Sequence, residues 1–247
     1  MKPKHAAILA FLLTGLIASN IYLFSIINQD ETRESVIVAR VIDGDTFQLE
    51  DGRKIRLTNI NAPEKSQANH ELSLNYLKQF LNKSIQIEIT ETDRYGRTLA
   101  NVYTPDYLNL NLVSLGFASK FLVQDSEISN FAKAEAQAIS TGLGIWTHSN
   151  HYDCLTSQID KYEEFVILTN DCQEISFQEW ILKDESTKIF KFPEIQFTQL
   201  TLHTSKGTNT ETDLYWNQNQ NRWNNDRDTL YIFDSQGNLA HHNSYGY

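Results

Sequence analysis

From Glu34 onward, apolar and polar residues alternate in short runs. "ESVIVARV" alternates loosely, "DTFQL" is short, and "EDGRKIRL" places Asp51-Gly52 where a hairpin turns, so residues 35–59 read as strands. "ELSLNYLKQFLNK" sets Leu72, Leu74, Tyr76, Leu77, Phe80 and Leu81 on one helical face. "SIQIEIT" alternates strictly, as a half-buried strand does, and "YGRTLANVYT" continues as another strand after a glycine turn. "YLNLNLVSLGFA" predicts a short helix stopped by Gly116. "NFAKAEAQAISTGLGIW" predicts a longer one capped near Gly142. Strands, helix, two strands and two helices, in that order, predict a small mixed domain over 34–149, built on a five-stranded barrel.

The pattern changes after about residue 150. "SNHYDCLTSQ" reads as a polar linker over 150–159. Beyond it, "EEFVILTN", "QEISFQEWILKD", "KIFKFP", "FTQLTLHTS", "DLYWN" and "DTLYIFDSQGNLAHH" are short strands broken by Asn, Asp and Gly. Such spacing predicts a β-sandwich over 160–247. Trp216, Trp223 and Tyr231 are expected to fill its core or the core's edges rather than to bind a ligand, and His241-His242 has no third partner that would make it a metal pair. The whole chain is therefore expected to be mainly β, with two domains in 247 residues.

The first 29 residues differ from both. Lys2 and Lys4 precede a run from Ala6 to Ile27 that carries no Asp, Glu, Lys or Arg. About 20 apolar residues span a bilayer. Lysines before the run and "QDETRES" after it orient the bulk of the chain outward. The run reads as an uncleaved membrane anchor, with a cleavable signal peptide as the competing reading that would give a secreted protein. Export would let Cys154 and Cys172 pair, against the alternative of two buried thiols.

Charge narrows the function. The net charge of −10 excludes a general polyanion binder but leaves room for a local basic cleft. Residues 160–247 hold 7 Lys/Arg against 14 Asp/Glu, whereas residues 34–150 hold 11 against 14. The first domain is thus the nearer to neutral, and the chemistry concentrates there. "VIDGDTFQLEDGRKIRLTNINAPEK" places Asp43, Asp45, Arg56, Asn61 and Glu64 within 22 residues, and "DRYGR" adds Arg97. Phosphodiester cleavage needs an activated water and counter-charge for the developing oxyanions. Arginine forks match phosphate, and a carboxylate such as Glu64 can take the water's proton. Asp45, Asn61 and the Ala62 carbonyl offer hard oxygens to a divalent ion. Each piece alone is an ordinary turn or surface charge; order and spacing together carry the weight.

"IDGDT", "RKIRLTNINAPE", "DRYGR" and "AEAQAISTGLGIW" resemble the staphylococcal-nuclease (thermonuclease) family over roughly residues 35–148. The resemblance implies an OB-type five-stranded barrel with three helices and a calcium-dependent nuclease acting on DNA or RNA. It implies Arg56 and Arg97 as phosphate clamps and Glu64 as general base. It further implies Asp45, Asn61 and Ala62 as ligands of one calcium ion, Asp43 as a carboxylate beside it, and Arg94 and Tyr95 as nucleotide contacts. Asn61 stands where an aspartate is usual, so the ion should bind more weakly. "FVILTN", "EWILKDES" and the stretch from "LTLHTS" to the end resemble lamin-tail domains, which are immunoglobulin-like sandwiches. That domain is expected to bind a protein or envelope partner, in a monomeric chain. The competing function is a non-catalytic nucleic-acid or surface-binding protein on a degraded nuclease barrel; a third is a structural envelope protein.

Overall fold

The computed structural model describes residues 11–22, 33–172 and 174–247. Residues 11–22 are helical (α1), and every one of them is exposed. The rest of the expected anchor, 1–10 and 23–29, lies outside the described residues. Among the described residues no helix is long and apolar enough to cross a membrane.

The strands that alternation predicts are β1 (Glu34–Asp43), β2 (Thr46–Leu49), β3 (Lys54–Leu57), β4 (Ile60–Asn61), β5 (Ser84–Thr92) and β6 (Thr98–Tyr103). All but the short β4 close into a barrel in the order β1-β2-β3-β6-β5. Its interior is filled by the inward residues of each strand, among them Val38, Phe47, Ile55, Leu57, Ile87 and Val102. Burying each such side chain contributes about 1.5–3 kcal/mol. Three helices pack beside it: α2 (His70–Lys78), α3 (Leu108–Ser114) and α4 (Ile128–Ser140). Leu77, Leu112, Val113 and Phe131 bring them onto the same core. A two-residue strand, β7 (Ser119–Lys120), pairs with β4. The barrel and its three helices agree with the sequence pattern.

Beyond residue 154 the described residues form eight strands: β8 (Leu155–Asp160), β9 (Phe165–Asn170), β10 (Ile181–Lys183), β11 (Ile189–Lys191), β12 (Gln199–His203), β13 (Asp213–Tyr215), β14 (Asp228–Phe233) and β15 (Leu239–Tyr245). They make two four-stranded sheets, β11-β10-β14-β15 and β13-β12-β9-β8. A second core, including Val166, Leu168, Leu182, Leu200, Trp216, Trp223, Leu230 and Ile232, draws on both sheets.

Three expectations need correcting. The polar stretch 150–159 is not all linker: from Leu155 it is strand β8, because its backbone pairs with β9 along six residues. "QEISFQEWILKD" is a strand only at Ile181–Lys183, since the chain turns at Glu179 (φ 66°) and tucks Trp180 into the core. Tyr231 is buried, but not between the two sheets. Leu230 and Ile232 face that core, while Tyr231 and Phe233 point the other way. Cys154 and Cys172 are joined as a disulfide, tying the start of β8 to the end of β9.

The opposite face of the β10–β14 sheet closes onto the barrel's last helix. Ala138, Ile139, Ile145, Trp146, Tyr231, Phe233 and Leu239 form a third buried cluster. The Trp146 ring stacks on Tyr231 with centroids 5.0 Å apart. At its edge lies a buried charge cluster. Lys120 Nζ donates to Glu135 Oε2 at 2.6 Å and to Thr229 Oγ1 at 2.6 Å, and pairs with Glu185 Oε1 at 2.9 Å. Tyr231 OH donates to Glu135 Oε2, and Tyr247 OH to Glu185 Oε2. Lys120 and Glu135 belong to the barrel unit, Glu185 and Thr229 to the two-sheet unit. His241 has an ordinary role, with its Nε2 2.9 Å from Ser157 Oγ.

Candidate phosphate site

The β1–β2 turn carries Asp43-Gly44-Asp45. Gly44 is required by close approach: a Cβ there would lie 2.1 Å from Ser73 Oγ on α2 and 2.8 Å from the Ala62 Cβ. The bare glycine lets the turn press against Ala62, bringing Asp45 to the loop that follows β4. Asp45 Oδ2 accepts from the Ala62 N–H at 3.1 Å, and its Oδ1 from Thr46 Oγ1 at 2.9 Å.

Arg56 sits on β3 opposite Thr46. Its Nη1 donates to the carbonyls of Leu57 (2.8 Å) and Ile60 (3.1 Å), pinning the turn between β3 and β4. Its Nη2 lies 3.1 Å from Asp45 Oδ2 and donates to Asn61 Oδ1 at 3.3 Å. Asn109, fully buried, holds the same turn from behind by donating to the carbonyls of Thr58 and Ala100.

Arg97 arrives through a separate hairpin. Strands β3 and β6 pair in parallel with Arg56 opposite Leu99, two residues beyond Arg97, so the two guanidinium groups line one cleft. The hairpin turns at Gly96, whose φ of 78° suits glycine. Asp93 organises it: Oδ1 accepts from the N–H groups of Tyr95 (2.8 Å) and Arg97 (2.9 Å), and Oδ2 from Arg97 Nε (2.7 Å). Burial pushes the Asp93 carboxyl up, but these bonds to Arg97 and Tyr95 outweigh it and hold it below the ordinary carboxylate value. Asp93 was not among the residues expected at the site. Its signal was present in an aspartate that precedes a Tyr-Gly turn, a position that caps backbone N–H groups.

Glu64 follows Pro63 in a loop where Gln67 Oε1 accepts from the Glu64 N–H at 2.9 Å. Partial burial raises its carboxyl above the ordinary value. Asp43 and Asp45 raise it further, while Arg56 and Arg97 act to lower it. Glu64, the two aspartates and the two arginines therefore feel one another's charge. Arg94 and Tyr95 flank the cleft, which has a volume of about 330 Å³; Tyr95 is 68% exposed and has the Arg94 and Arg97 guanidinium carbons 4.9 and 5.5 Å from its ring centre. Leu122 and Gln124 line the side across from them.

The donor chemistry here fits a hard divalent cation. The charges of Asp43 and Asp45 both act on the Glu64 carboxyl, a repulsion a cation would relieve, and the Asn61 side-chain oxygen, which accepts from Arg56, lies nearby. No three His, Cys, Asp or Glu side chains gather into a metal cluster among the described residues. Any cation would therefore rest on a mixed set that includes amide or backbone oxygens. Asn61 has a second engagement that the sequence did not reveal: its Nδ2 donates to the Glu185 carbonyl, in the two-sheet domain, at 3.4 Å.

Residues 54–148 match the model of the staphylococcal nuclease homologue family. An uncharacterized endonuclease of Escherichia coli is 45% identical over 78 residues, 30% of this chain and 51% of that protein, so the chain spans about half the length of that relative. An uncharacterized endonuclease of Haemophilus influenzae is 32% identical over 142 residues, 55% of this chain and 79% of that protein. The thermonuclease of Staphylococcus intermedius is 33% identical over 132 residues, 47% of this chain and 79% of that protein. A closed five-stranded barrel with two arginines lining one cleft, together with these relatives, places the chain in the staphylococcal nuclease family.

Proposed function

We propose that this chain is a calcium-dependent nuclease that hydrolyses phosphodiester bonds of DNA, with RNA as a second candidate substrate. The observation that carries the reading is that Arg56 and Arg97 line one cleft while the Glu64 carboxyl feels the charges of both and of Asp43 and Asp45. Arg56 would hold the phosphate in both ground and transition states, its fork already oriented by the Leu57 and Ile60 carbonyls. Arg97, held by Asp93 and more exposed, would meet the charge that builds on the phosphoryl oxygens during attack. Glu64 would accept a proton from the attacking water, or orient it. The water oxygen bonds to phosphorus as the ester P–O bond breaks, and the departing oxygen takes up a proton. Asp45, Asn61 and the Ala62 carbonyl, with Asp43 beside them, would hold the calcium ion, whose chemistry is to add positive charge beside the phosphate. Arg94 and Tyr95 would receive the adjoining nucleotide.

The same reading places the protein outside the cytoplasm. Its N-terminal apolar run would keep it at the membrane, or release it if cleaved, and the Cys154–Cys172 disulfide suits that setting. The two-sheet domain is read as an immunoglobulin-like sandwich of lamin-tail type. The test is cleavage of a labelled single-stranded oligonucleotide by the full chain, with calcium and with chelator. Calcium-dependent cleavage that Glu64→Ala abolishes is the expected result. A folded protein that binds the oligonucleotide and leaves it intact would turn the reading to the non-catalytic alternative.

A further inference from the structure

Strand β10 has two faces. Leu182 points into the core of the two-sheet domain, while Ile181 and Lys183 point to the barrel. Both line a cavity of about 60 Å³ with Pro63, Gln67, Ala68 and Asn69, the loop that carries Glu64. Two residues on, the Glu185 carbonyl meets the Asn61 side chain. Glu185 is itself immobilised: Lys120 Nζ lies at 2.9 Å, Thr229 Oγ1 donates at 2.8 Å and Tyr247 OH at 2.7 Å, with only 4% of the residue exposed. A continuous path therefore runs from the buried Lys120 through Glu185 and Asn61 to Arg56.

We propose that the two-sheet domain is a working part of the phosphate site: Glu185, fixed by the junction, positions Asn61, and Asn61 positions Arg56 and the loop to Glu64. This rests on the nuclease reading above and gives the second domain a role within that site.

The chemistry of Asn61 supports it. An asparagine amide has an acceptor on one side and donors on the other. At Asn61 the oxygen meets the Arg56 donor and the nitrogen meets a carbonyl acceptor. Turning the amide over would set donor against donor and acceptor against acceptor, so the network fixes the orientation. Aspartate could satisfy Arg56 but would bring a carboxylate against the Glu185 carbonyl. The unusual asparagine then follows from the second domain: the residue spans two units, and only an amide serves both. Asn61 is only 5% exposed, so a mismatched polar pair there would lack water to relieve it.

The two possible roles of Asn61 predict opposite outcomes for Asn61→Asp. A residue acting only as a cation ligand should bind calcium more tightly as aspartate. A residue that spans the junction should loosen its loop and slow catalysis. The experiment uses the full chain as wild type, Asn61→Asp, Glu185→Ala and Glu185→Gln. Backbone amide exchange over residues 60–64 is measured without calcium or substrate, and kcat, KM and the half-saturating calcium concentration are measured separately. We expect Asn61→Asp and Glu185→Ala to speed exchange of that loop about tenfold while barrel-core amides are unchanged. Both should lower kcat about tenfold with little change in KM, whatever change Asn61→Asp makes to the half-saturating calcium concentration. Glu185→Gln, which keeps the acceptor facing Lys120 and Thr229 but replaces the one that meets Tyr247 OH, should recover part of the loss. Unchanged loop exchange in Glu185→Ala overturns the proposal. So does exchange that rises uniformly through the protein, or an Asn61→Asp variant with tighter calcium and wild-type kcat. If the wild type cleaves nothing, the nuclease reading fails on its own, and the exchange measurements still decide the positioning.

Discussion

Two clusters in this molecule are built from the same groups and do opposite things. At the candidate site, Arg56 and Arg97 line a cleft open to water beside Asp93, and Arg56 also pairs with Asp45. At the junction, Lys120 stands between Glu135 and Glu185, each of the three no more than 4% exposed. Water makes the difference. In the cleft, Arg97 keeps a side chain 34% exposed, so it can exchange solvent for a phosphate at little cost. At the junction the Lys120 ammonium and the two carboxylates are met from within by one another and by Thr229, Tyr231 and Tyr247. Pairing charges out of water brings a large desolvation cost, so such a cluster fixes geometry better than it adds stability. The open cluster stays exchangeable with solvent, and the closed one ties the two units together.

The comparison breaks most severely by removing one charge from the closed cluster. Lys120→Met keeps the bulk of the side chain but leaves Glu135 and Glu185 facing each other without a cation. Breaking a buried pair in this way costs about 3–5 kcal/mol. At about 2–4 °C per kcal/mol for a protein of this size, the melting temperature should fall by roughly 6–20 °C. Thermal unfolding followed by circular dichroism measures it. A shift within a degree or two would mean that the junction is looser and wetter than the hydrogen bonds imply.

Removing one charge from the open cluster should cost rate instead. Arg97→Ala should slow single-turnover cleavage by about 10²–10³, the usual loss for one charge-stabilising donor. Its melting temperature should hardly move, because the ion pair with Asp93 lies at the surface. Arg56→Ala should slow cleavage as much and also lower stability. Arg56 donates to the Leu57 and Ile60 carbonyls, and its side chain is only 12% exposed. The pair of variants thus grades the contrast within the site. Equal stability losses for both would show that the turn between β3 and β4 does not depend on Arg56.

The sequence made the open cluster legible and hid the closed one. "IDGDT", "RLTNINAPE" and "DRYGR" keep their chemistry in short stretches, where turn residues and charges sit close together. The barrel was equally readable, because alternation in "SIQIEIT" and helical spacing in "ELSLNYLKQFLNK" are local. Lys120, Glu135 and Glu185 are separated by 15 and 50 residues and belong to two units. Each alone looks like a solvated charge, and no local pattern says that they meet. Tyr231 shows the same limit: strand β14 is buried on both faces, and alternation cannot say which face meets a second domain. Asn61 was noticed for the charge it lacks, while its amide nitrogen became meaningful only beside Glu185.

The smallest effect concerns pH and separates the clusters without removing a charge from the site. Asp228 lies beside the junction and is fully buried. Its carboxylate accepts from the N–H groups of Thr229 (2.8 Å) and Asn224 (3.0 Å). Burial pushes it up to about 7, against the help of the Asn224 N–H, and the charges of Glu185 and Asp184 add to the rise. The folded protein therefore holds this proton more tightly than the unfolded chain, whose aspartates titrate near about 3.9. The resulting stabilisation is complete below about pH 4 and is lost as pH rises towards 7. Asp93 works in the other direction: its depressed value gives stability that is present above about pH 4 and lost in more acid solution. His241, pushed down to about 4 by burial and by His242, and His242, also lowered by burial, likewise oppose Asp228, since their stability is lost as pH falls below the ordinary histidine value, so the Asp228 contribution is read as the difference in slope between wild type and Asp228→Asn from pH 5 to 7.5. Asp228→Asn should be less stable at pH 5, since its amide cannot accept from both N–H groups with equal ease, yet its slope between the two pH values should shrink. Some slope should remain from Asp184 and Glu185, which burial also raises. Melting scans of both proteins at several pH values measure the slopes. A variant whose slope matches that of the wild type would mean that Asp228 is ionised in the folded protein and that water reaches the edge of the closed cluster.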